Sequence, residues 1–332
     1  MPDPAETLNP GTRADRAEIP VRRGKLFGVL VTYRRPERLA RTLEALAGQS
    51  RPLDRLMVVD NDPPGGERLA AGYRARGLEV EYVASPDNVG PAGGIALGMA
   101  RALSWASDDD WIVTLDDDDP PRGDVVLAEL EAFAAEMLRR DPRTGMVGLV
   151  GARIDWRRGR LVRLPDRELR GPVAVDYIGG NHFPFVRAAA LRSVGPFRSD
   201  LFFGLDDLEF GLRLRRHGYS VYADGVRWLR QRASGGRLGL ELRPSGRVTD
   251  SGWRRYYSLR NAIWILRKNR RPGTAAMVTV IRGFGKPLAN LVRDPAGAAT
   301  LLRTNWAACR DGWSGRLGRV IEPDRTRRPH RP

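Results

Sequence analysis

The order of apolar runs and amphipathic stretches along these 332 residues predicts an α/β protein built on a doubly wound sheet. Short apolar runs, LFGVLVTY (26–33), LMVV (56–59), VEYV (80–83) and WIVTL (111–115), have the make-up of strands covered on both faces. Stretches of helical spacing separate them. Polar residues close three of the four runs, at the carboxyl ends where ligands of such sheets bind.

In chain order, Pro36 opens a helical pattern with Leu39, Leu43 and Leu46 on one face. The second strand ends in Asp60, Asn61 and Asp62, and a helix over 67–76 leads to the third. PDNVGPAGGIALGMARAL (86–103) places Gly90, Gly93 and Gly94 before a helix, where the backbone can approach an anion closely. It lacks the Gly-Lys-Ser/Thr ending of a P-loop and the dinucleotide spacing, and a glycine turn packed for steric reasons reads the same way. Val126, Leu130, Phe133 and Met137 mark the next helix, and strand-like pieces follow at 146–150 and 173–178. GGNHFPFVRAAALRSVGPF then gives a glycine pair, a short extended piece and a short helix. A helix from about 205 to 218 carries Asp206 and Asp207 in its first turn, where capping alone would favour carboxylates, and Glu209 with Arg213 as an i,i+4 pair. Residues 233–252 read as a loop or flap, 253–269 as a helix with Tyr256, Ile263 and Leu266 inward, and 275–291 and 296–310 as weaker amphipathic segments.

Composition narrows the class. One cysteine, Cys309, and three histidines exclude an internal disulfide and argue against a cysteine or histidine zinc site. The polar, proline-bearing residues 1–23 read as a loose tail without a signal-peptide core, and the expected location is cytoplasmic. Of the net charge of +16, residues 227–332 hold 24 basic and 6 acidic side chains, net +18. Such an arginine-rich end can bind nucleic acid, anionic lipid or a phosphorylated substrate. Trp306 and Trp313 among arginines suit a membrane interface or packing onto the body equally.

The most informative stretch is WIVTLDDDDPP (111–121). It delivers four carboxylates, Asp116 to Asp119, to a strand end stopped by two prolines. Four like charges persist there as a solvated acidic turn, or where a hard divalent cation such as Mg2+ or Mn2+ shares them with phosphate.

Taken in order, VTYRRPERLARTLEALAGQS, VVDND, NVGPAGGIALGMARAL, LDDDDPP, residues 179–197, LFFGLDDLEFGLRLRRHGY and YYSLRN resemble family 2 glycosyltransferases of the GT-A fold, over about 26–269. Cytoplasmic enzymes that add rhamnosyl or galactofuranosyl units to lipid-linked cell-envelope glycans look closest. The resemblance implies a Rossmann-like doubly wound mixed sheet over 24–235 and a basic helical C-terminal extension over 236–332. It implies that Thr32, Tyr33 and Arg35 hold the nucleotide of a UDP- or dTDP-sugar, and that Asp60 accepts the N3–H of uracil or thymine. Asn88, Gly90 and Gly94 would line the ribose and diphosphate. Asp116, Asp117 and Asp118 match the DXD motif, with Asp118 as ligand of Mn2+ or Mg2+ and Asp116 beside it, at the ribose or a metal-bound water. Asp207 matches the catalytic base of an inverting displacement, and Asp206 orients the acceptor or the base. Many relatives carry a histidine, often a metal ligand, soon after this helix. Here Trp228, Leu229 and Arg230 stand in that region, so either Arg230 binds the diphosphate directly or the enzyme is impaired. His182 and His217 are expected to be structural.

Acceptors implied are lipid-linked or polysaccharide chains, with peripheral membrane contact through the basic end and no nucleic acid. Two other readings stay open: a nucleotidyltransferase, and a catalytically silent module that binds nucleic acid or membrane through its arginine-rich end. The glycosyltransferase reading requires two acidic groups some ninety positions apart to share one cleft.

Overall fold

The computed structural model describes residues 24–63, 66–74, 77–239, 252–289 and 294–323. The expected N-terminal tail and the 240–251 part of the expected flap lie outside the described residues. The first half alternates strand and helix as its apolar runs predict: β1 (Leu26–Thr32), α1 (Pro36–Ala47), β2 (Arg55–Asp60), α2 (Gly66–Arg74), β3 (Val80–Ala84), α3 (Gly90–Trp105), β4 (Trp111–Asp116) and α4 (Val126–Arg140). β1 pairs in parallel with β2 and β4, in a register that sets Thr32 opposite Asp60 and Val31 opposite Asp116. That register gathers the polar strand ends at one edge.

The second half is less regular. β5 (Thr144–Gly148) leads into a hairpin of β6 (Gly151–Asp155) and β7 (Arg160–Val162), then β8 (Pro172–Ala174), β9 (Tyr177–Ile178), β10 (Phe185–Arg187), α5 (Ala188–Val194), α6 (Asp206–Arg216), β11 (Ser220–Asp224) and α7 (Gly225–Ser234). The main sheet has eight strands in the order β3-β2-β1-β4-β10-β5-β11-β8, with β10 antiparallel to both of its neighbours, so it is mixed. β7, β6 and β9 form a second, small sheet. The hairpin and α7 had no clear sequence signal. The hairpin's strands are short and charged, and its apolar residues Ile154, Trp156 and Leu161 are half-buried against the C-terminal helices.

Those helices are α8 (Gly252–Lys268), α9 (Pro272–Val278), a π-helical turn (Thr279–Gly285), α10 (Lys286–Ala289) and α11 (Pro295–Ser314). Tyr256, Tyr257 and Ile263 of α8 are completely buried. Tyr256 also donates its hydroxyl to the buried Asp311 of α11 at 2.6 Å. No helix among the described residues is long and apolar enough to cross a membrane.

Close packing fixes α6 against β9. A Cβ at Gly211, mid-helix, would overlap the carbonyl oxygen of Asp176 and come within 3.0 Å of the Tyr177 Cα, whereas one at Gly72 in α2 would meet nothing within 4 Å. Glycine to alanine inside a helix normally stabilises by about 0.5–1 kcal/mol, while overpacking against backbone costs about 1–3 kcal/mol. Urea unfolding should therefore show Gly72→Ala as neutral or stabilising and Gly211→Ala as destabilising. Equal effects would mean that α6 is not held at this distance.

Candidate active site

Three strands end at the cleft. Thr32, Asp60 and Asp116 are the last residues of β1, β2 and β4. Asp60 is buried and accepts hydrogen bonds from the Tyr82 hydroxyl at 2.9 Å and from the Asp62 amide at 3.0 Å, which fix its carboxylate. Asn61, next along, donates to the Gly90 carbonyl at 3.1 Å, and its buried Oδ1 has no hydrogen-bond partner among the described residues.

The acidic run divides by direction. Asp117 turns inward, 6% exposed, accepting from the Thr32 hydroxyl at 2.8 Å and from Arg35 at 3.3 Å. Asp118 turns outward and accepts from Arg35 at 2.7 Å and Arg38 at 3.0 Å. Asp116 is half-buried, and no ion pair to it is found among the described residues. Loss of solvation raises its pKa to about 7, with the neighbouring charges of Asp118, Asp117, Asp206 and Asp119 adding to the effect.

The second acidic group meets the first. Asp206 and Asp207 open α6, and Asp207 accepts from the Leu208 amide at 2.7 Å. Desolvation raises the pKa of both; for Asp207 the charges of Asp206 and Asp116 push the same way. Between the clusters lies the glycine pair. A Cβ on Gly180 would sit 3.1 Å from Asp116 Oδ1, and one on Gly179 would sit 3.6 Å from Asp207 Oδ2. Side chains at these two positions would fill the space that separates Asp116 from Asp207.

A cavity of about 660 Å³ opens beside Gly179, lined among others by Tyr177, His182, Arg163, Trp228 and Arg237. Burial, with Arg163 and Arg237 adding to it, lowers the His182 pKa to about 4, so the ring is neutral near pH 7. Tyr177 is held protonated by burial and by the charge of Asp207.

The loop that carries Asp206 is strained. Phe202, Gly204 and Leu205 have φ of 61°, 75° and 62°. Phe202 is the centre of a γ-turn closed by a 2.7 Å bond from the Phe203 amide to the Leu201 carbonyl, a conformation that is rare for a side-chain-bearing residue. Two completely buried residues of α8 hold it. Asn261 donates to the carbonyls of Leu201, Phe203 and Gly204 at 3.1, 3.1 and 2.8 Å. Arg260 donates to Leu201 at 2.9 Å and to Gly318 at 2.7 Å, and its Nε to Asn261 Oδ1 at 2.9 Å. The same loop reaches α3: the Ala92 amide donates to the Phe202 carbonyl at 3.3 Å, and a Cβ at Gly90 would overlap that oxygen.

Residues 29–160 match the family model described as glycosyl transferase family 2. Over those residues the chain is similar to family 2 glycosyltransferases. Over 200 residues it is 34% identical to galactofuranosyltransferase GlfT1 of Mycobacterium tuberculosis strain H37Rv, covering 58% of this chain and 65% of that protein. Over 107 residues it is 44% identical to galactofuranosyltransferase GlfT1 of Mycolicibacterium smegmatis, covering 32% and 34%. The chain thus spans a little less than two thirds of the longer-matching relative and about a third of the other. Among solved structures it is similar to the mannosyltransferase PcManGT of Pyrobaculum calidifontis in complex with GDP-Man and Mn2+, with a TM-score of 0.50 and 17% identity over 90% of this chain and 89% of that one. It is also similar to GalNAc-T7 with UDP, GalNAc and Mn2+, with a TM-score of 0.52 and 13% identity over 74% and 48%. At these identities the likeness is one of fold. The mixed sheet and its helical C-terminal region have a GT-A glycosyltransferase architecture.

Two of the expected donor residues have other surroundings than the sequence suggests. Gly94 is buried at the helix–sheet interface, where a Cβ would come within 2.7 Å of Val31, so its smallness serves packing of α3 on β1. Arg230 points to solvent on α7, while Trp228, Gln231 and Arg232 of that helix line the cavity. Asn88 accepts from the Gly90 amide at 2.9 Å and shapes the turn into α3. Tyr33 sits at the end of β1 with the Arg34 guanidinium 5.1 Å from its ring centre. Residues with no motif to announce them are Arg163, Tyr177 and Arg237; Asn61 stands in VVDND without an expected role, and His182, expected to be structural, lines the cavity.

Removing the Asn261 amide leaves buried carbonyls unpaired, at about 1–3 kcal/mol for each group orphaned. Asn261→Ala should lower the denaturation midpoint and speed amide hydrogen exchange over 202–208 more than in β1 or β4. Uniform exchange across the chain would show that the loop holds its shape without α8.

Proposed function

We propose that this domain transfers a sugar with inversion from a UDP or dTDP donor to a hydroxyl of a lipid-linked or polysaccharide acceptor. Galactofuranose is the first choice of sugar, because both named relatives are galactofuranosyltransferases, and rhamnose the second. The observation that supports this best is the meeting of Asp116 and Asp207 across the Gly179–Gly180 turn, with the carboxyl ends of β1 and β2 on one side and a cavity on the other.

On this reading the nucleotide lies over the ends of β1 and β2. Asp60, already fixed by Tyr82 and Asp62, keeps lone pairs for a base N3–H. Thr32 and Arg35 shape the floor through Asp117, and the Asn88–Gly90 turn brings backbone and the start of α3 near the diphosphate.

The donor set fits a divalent ion completed by the substrate. Asp116 is desolvated among like charges, and Asp118 is two residues on, shared with Arg35 and Arg38. No three His, Cys, Asp or Glu side chains form a complete cage among the described residues, which suits Mn2+ or Mg2+ held by one or two carboxylates plus phosphates. Such an ion, when bound, offsets the charge that develops on the departing diphosphate. The Arg35 and Arg38 guanidiniums stand ready to take up part of the same charge.

Asp207 accepts the proton of the acceptor hydroxyl as that oxygen attacks the anomeric carbon from the side opposite the leaving group. Its environment raises its basicity, which suits that task. The charge of Asp206 adds to that basicity, and its side chain orients Asp207. The acceptor occupies the neighbouring cavity, where the exposed guanidiniums of Arg163 and Arg237 match a phosphate-bearing acceptor.

Incubation with Mn2+ or Mg2+, a lipid-linked acceptor and UDP-galactofuranose or dTDP-rhamnose should give transfer with inverted anomeric configuration. Asp207→Asn should lower kcat about 10²–10⁴-fold while nucleotide-induced thermal stabilisation persists. Asp116→Asn should abolish the metal-dependent part of that stabilisation. Full turnover in Asp207→Asn, or no thermal response to any nucleotide sugar, would sink the assignment.

A further inference from the structure

The outward surface of the C-terminal helices has no part in the transfer site, yet large apolar side chains stand open on it. Val280 is 63% exposed, Ile281 52%, Leu288 52% and Trp306 55%. They belong to the π-helical turn, α10 and α11, which pack against one another. In α11, Asn305, Ala308, Cys309 and Gly312 are buried; Asn305 donates to the Gly283 carbonyl at 2.7 Å, and a Cβ at Gly283 would sit 2.9 Å from Cys309 Sγ. That leaves Ala299, Arg303, Trp306 and Arg310, at helical spacing, on the outer face. The Arg310 guanidinium lies 5.2 Å from the Trp306 ring centre.

Charge selects the occupant. Residues 252–321 contain 14 lysines and arginines against two acidic residues, Asp294 and Asp311. Asp294 caps α11, accepting from the Gly297 amide at 2.9 Å, and Asp311 is buried, accepting from the Tyr256 hydroxyl and, at 2.9 Å, from Arg310 Nε, whose terminal nitrogens stay outward. Open apolar groups with a tryptophan among arginines match a layer that is apolar within and anionic at its surface. A second copy of the chain would instead bring two like-charged faces together.

The C-terminal helices reach the cavity beside Asp207 through a hairpin. The β6–β7 hairpin, whose Arg160 and Val162 form part of the cavity rim, is seated on α9: Thr274 donates its hydroxyl to the Trp156 carbonyl at 2.8 Å, and Gly159 lies against Val278. Val162 is itself 41% exposed.

We propose that this face seats the protein on an anionic lipid bilayer, with Val280, Ile281, Leu288 and Trp306 in the headgroup layer and Arg303 and Arg310 at the lipid phosphates. A lipid-linked acceptor then enters the cavity past the hairpin. The membrane contact stands apart from the reaction; only the acceptor's route rests on the proposed transfer.

The test uses the full chain without donor or acceptor, mixed with vesicles of phosphatidylglycerol and phosphatidylcholine or of phosphatidylcholine alone. Co-sedimentation with the anionic vesicles is expected, weakened by about 0.5 M salt, with a blue shift of tryptophan emission. Ile281→Ser combined with Trp306→Ser should bind roughly tenfold more weakly and lose most of the blue shift, because it removes apolar area and no charge. Arg303→Glu should weaken binding independently, and both variants should keep the parent's unfolding midpoint. Binding of the double variant equal to the parent's would overturn the proposal. So would absence of vesicle binding, whether accompanied by RNA binding or by a dimer that the double variant abolishes. Failure of transfer with vesicle binding intact would remove the reaction and leave the membrane face standing.

Discussion

Everything at the cleft depends on how α8 holds the loop before α6. Arg260 and Asn261 are completely buried, and their donors go to backbone carbonyls at 201, 203, 204 and 318. A buried guanidinium without acceptors would be intolerable, and buried carbonyls without donors nearly so; together they satisfy one another. The loop spends that stability on three residues with positive φ, two of which carry side chains. Its shape sets the first turn of α6, hence Asp206 and Asp207. Through the Phe202 carbonyl it also sets the start of α3, hence the glycine turn. The strand-end side and the α6 side of the cleft are thereby referred to one piece of backbone.

The second constraint is electrostatic. Desolvation raises the proton affinity of Asp116, Asp206 and Asp207; the charge of Asp206 adds to it at Asp116, and the charges of Asp206 and Asp116 add to it at Asp207, across a gap kept open by two glycines. Such a cluster works against folding, and the protein offsets only part of it. Arg35 and Arg38 neutralise Asp118, Arg35 and Thr32 stabilise Asp117, and the start of α6 favours charge on Asp206 and Asp207. An arrangement that compensates its neighbours and not the central carboxylate is what the proposed cation, completed by substrate phosphates, would use.

These features were unequally legible in the sequence. Parallel strands read clearly because burial on both faces demands unbroken apolar runs, and the acidic groups read clearly because nothing in a fold calls for them. Their individual roles did not. Asp116, Asp117 and Asp118 are identical letters, and only the turn after β4 sends the second inward to Thr32 and the third outward to arginine. Gly94 illustrates the same ambiguity: a glycine near a ligand and a glycine under a crossing helix look alike until Val31 is seen against it. The surroundings of Arg230 follow from a helix over 225–234 that the sequence does not announce: Trp228 and Arg232 share the buried face of α7, so residue 230 faces away from it. The cavity residues Arg163 and Arg237 come from a loop after a short hairpin and from the turn that follows α7, so no local pattern links them.

The C-terminal helices cannot be regarded as an appendage to a finished catalytic unit. Cutting the chain near residue 235 would remove Arg260 and Asn261, leaving the Phe202 γ-turn without the donors that hold it, and would expose Leu201, Leu208 and Leu212, which pack against Trp264 and Ile265. One face of α8 thus completes the cleft, while α11, locked to α8 through Tyr256 and Asp311, carries the exposed tryptophan on its far side. A force or ligand that moves the outer face is therefore connected to the aspartate loop by two packed helices and no flexible joint. That continuity is the physical reason for basic and apolar residues to gather on this extension: whatever it touches, it holds the cleft in a fixed relation to it.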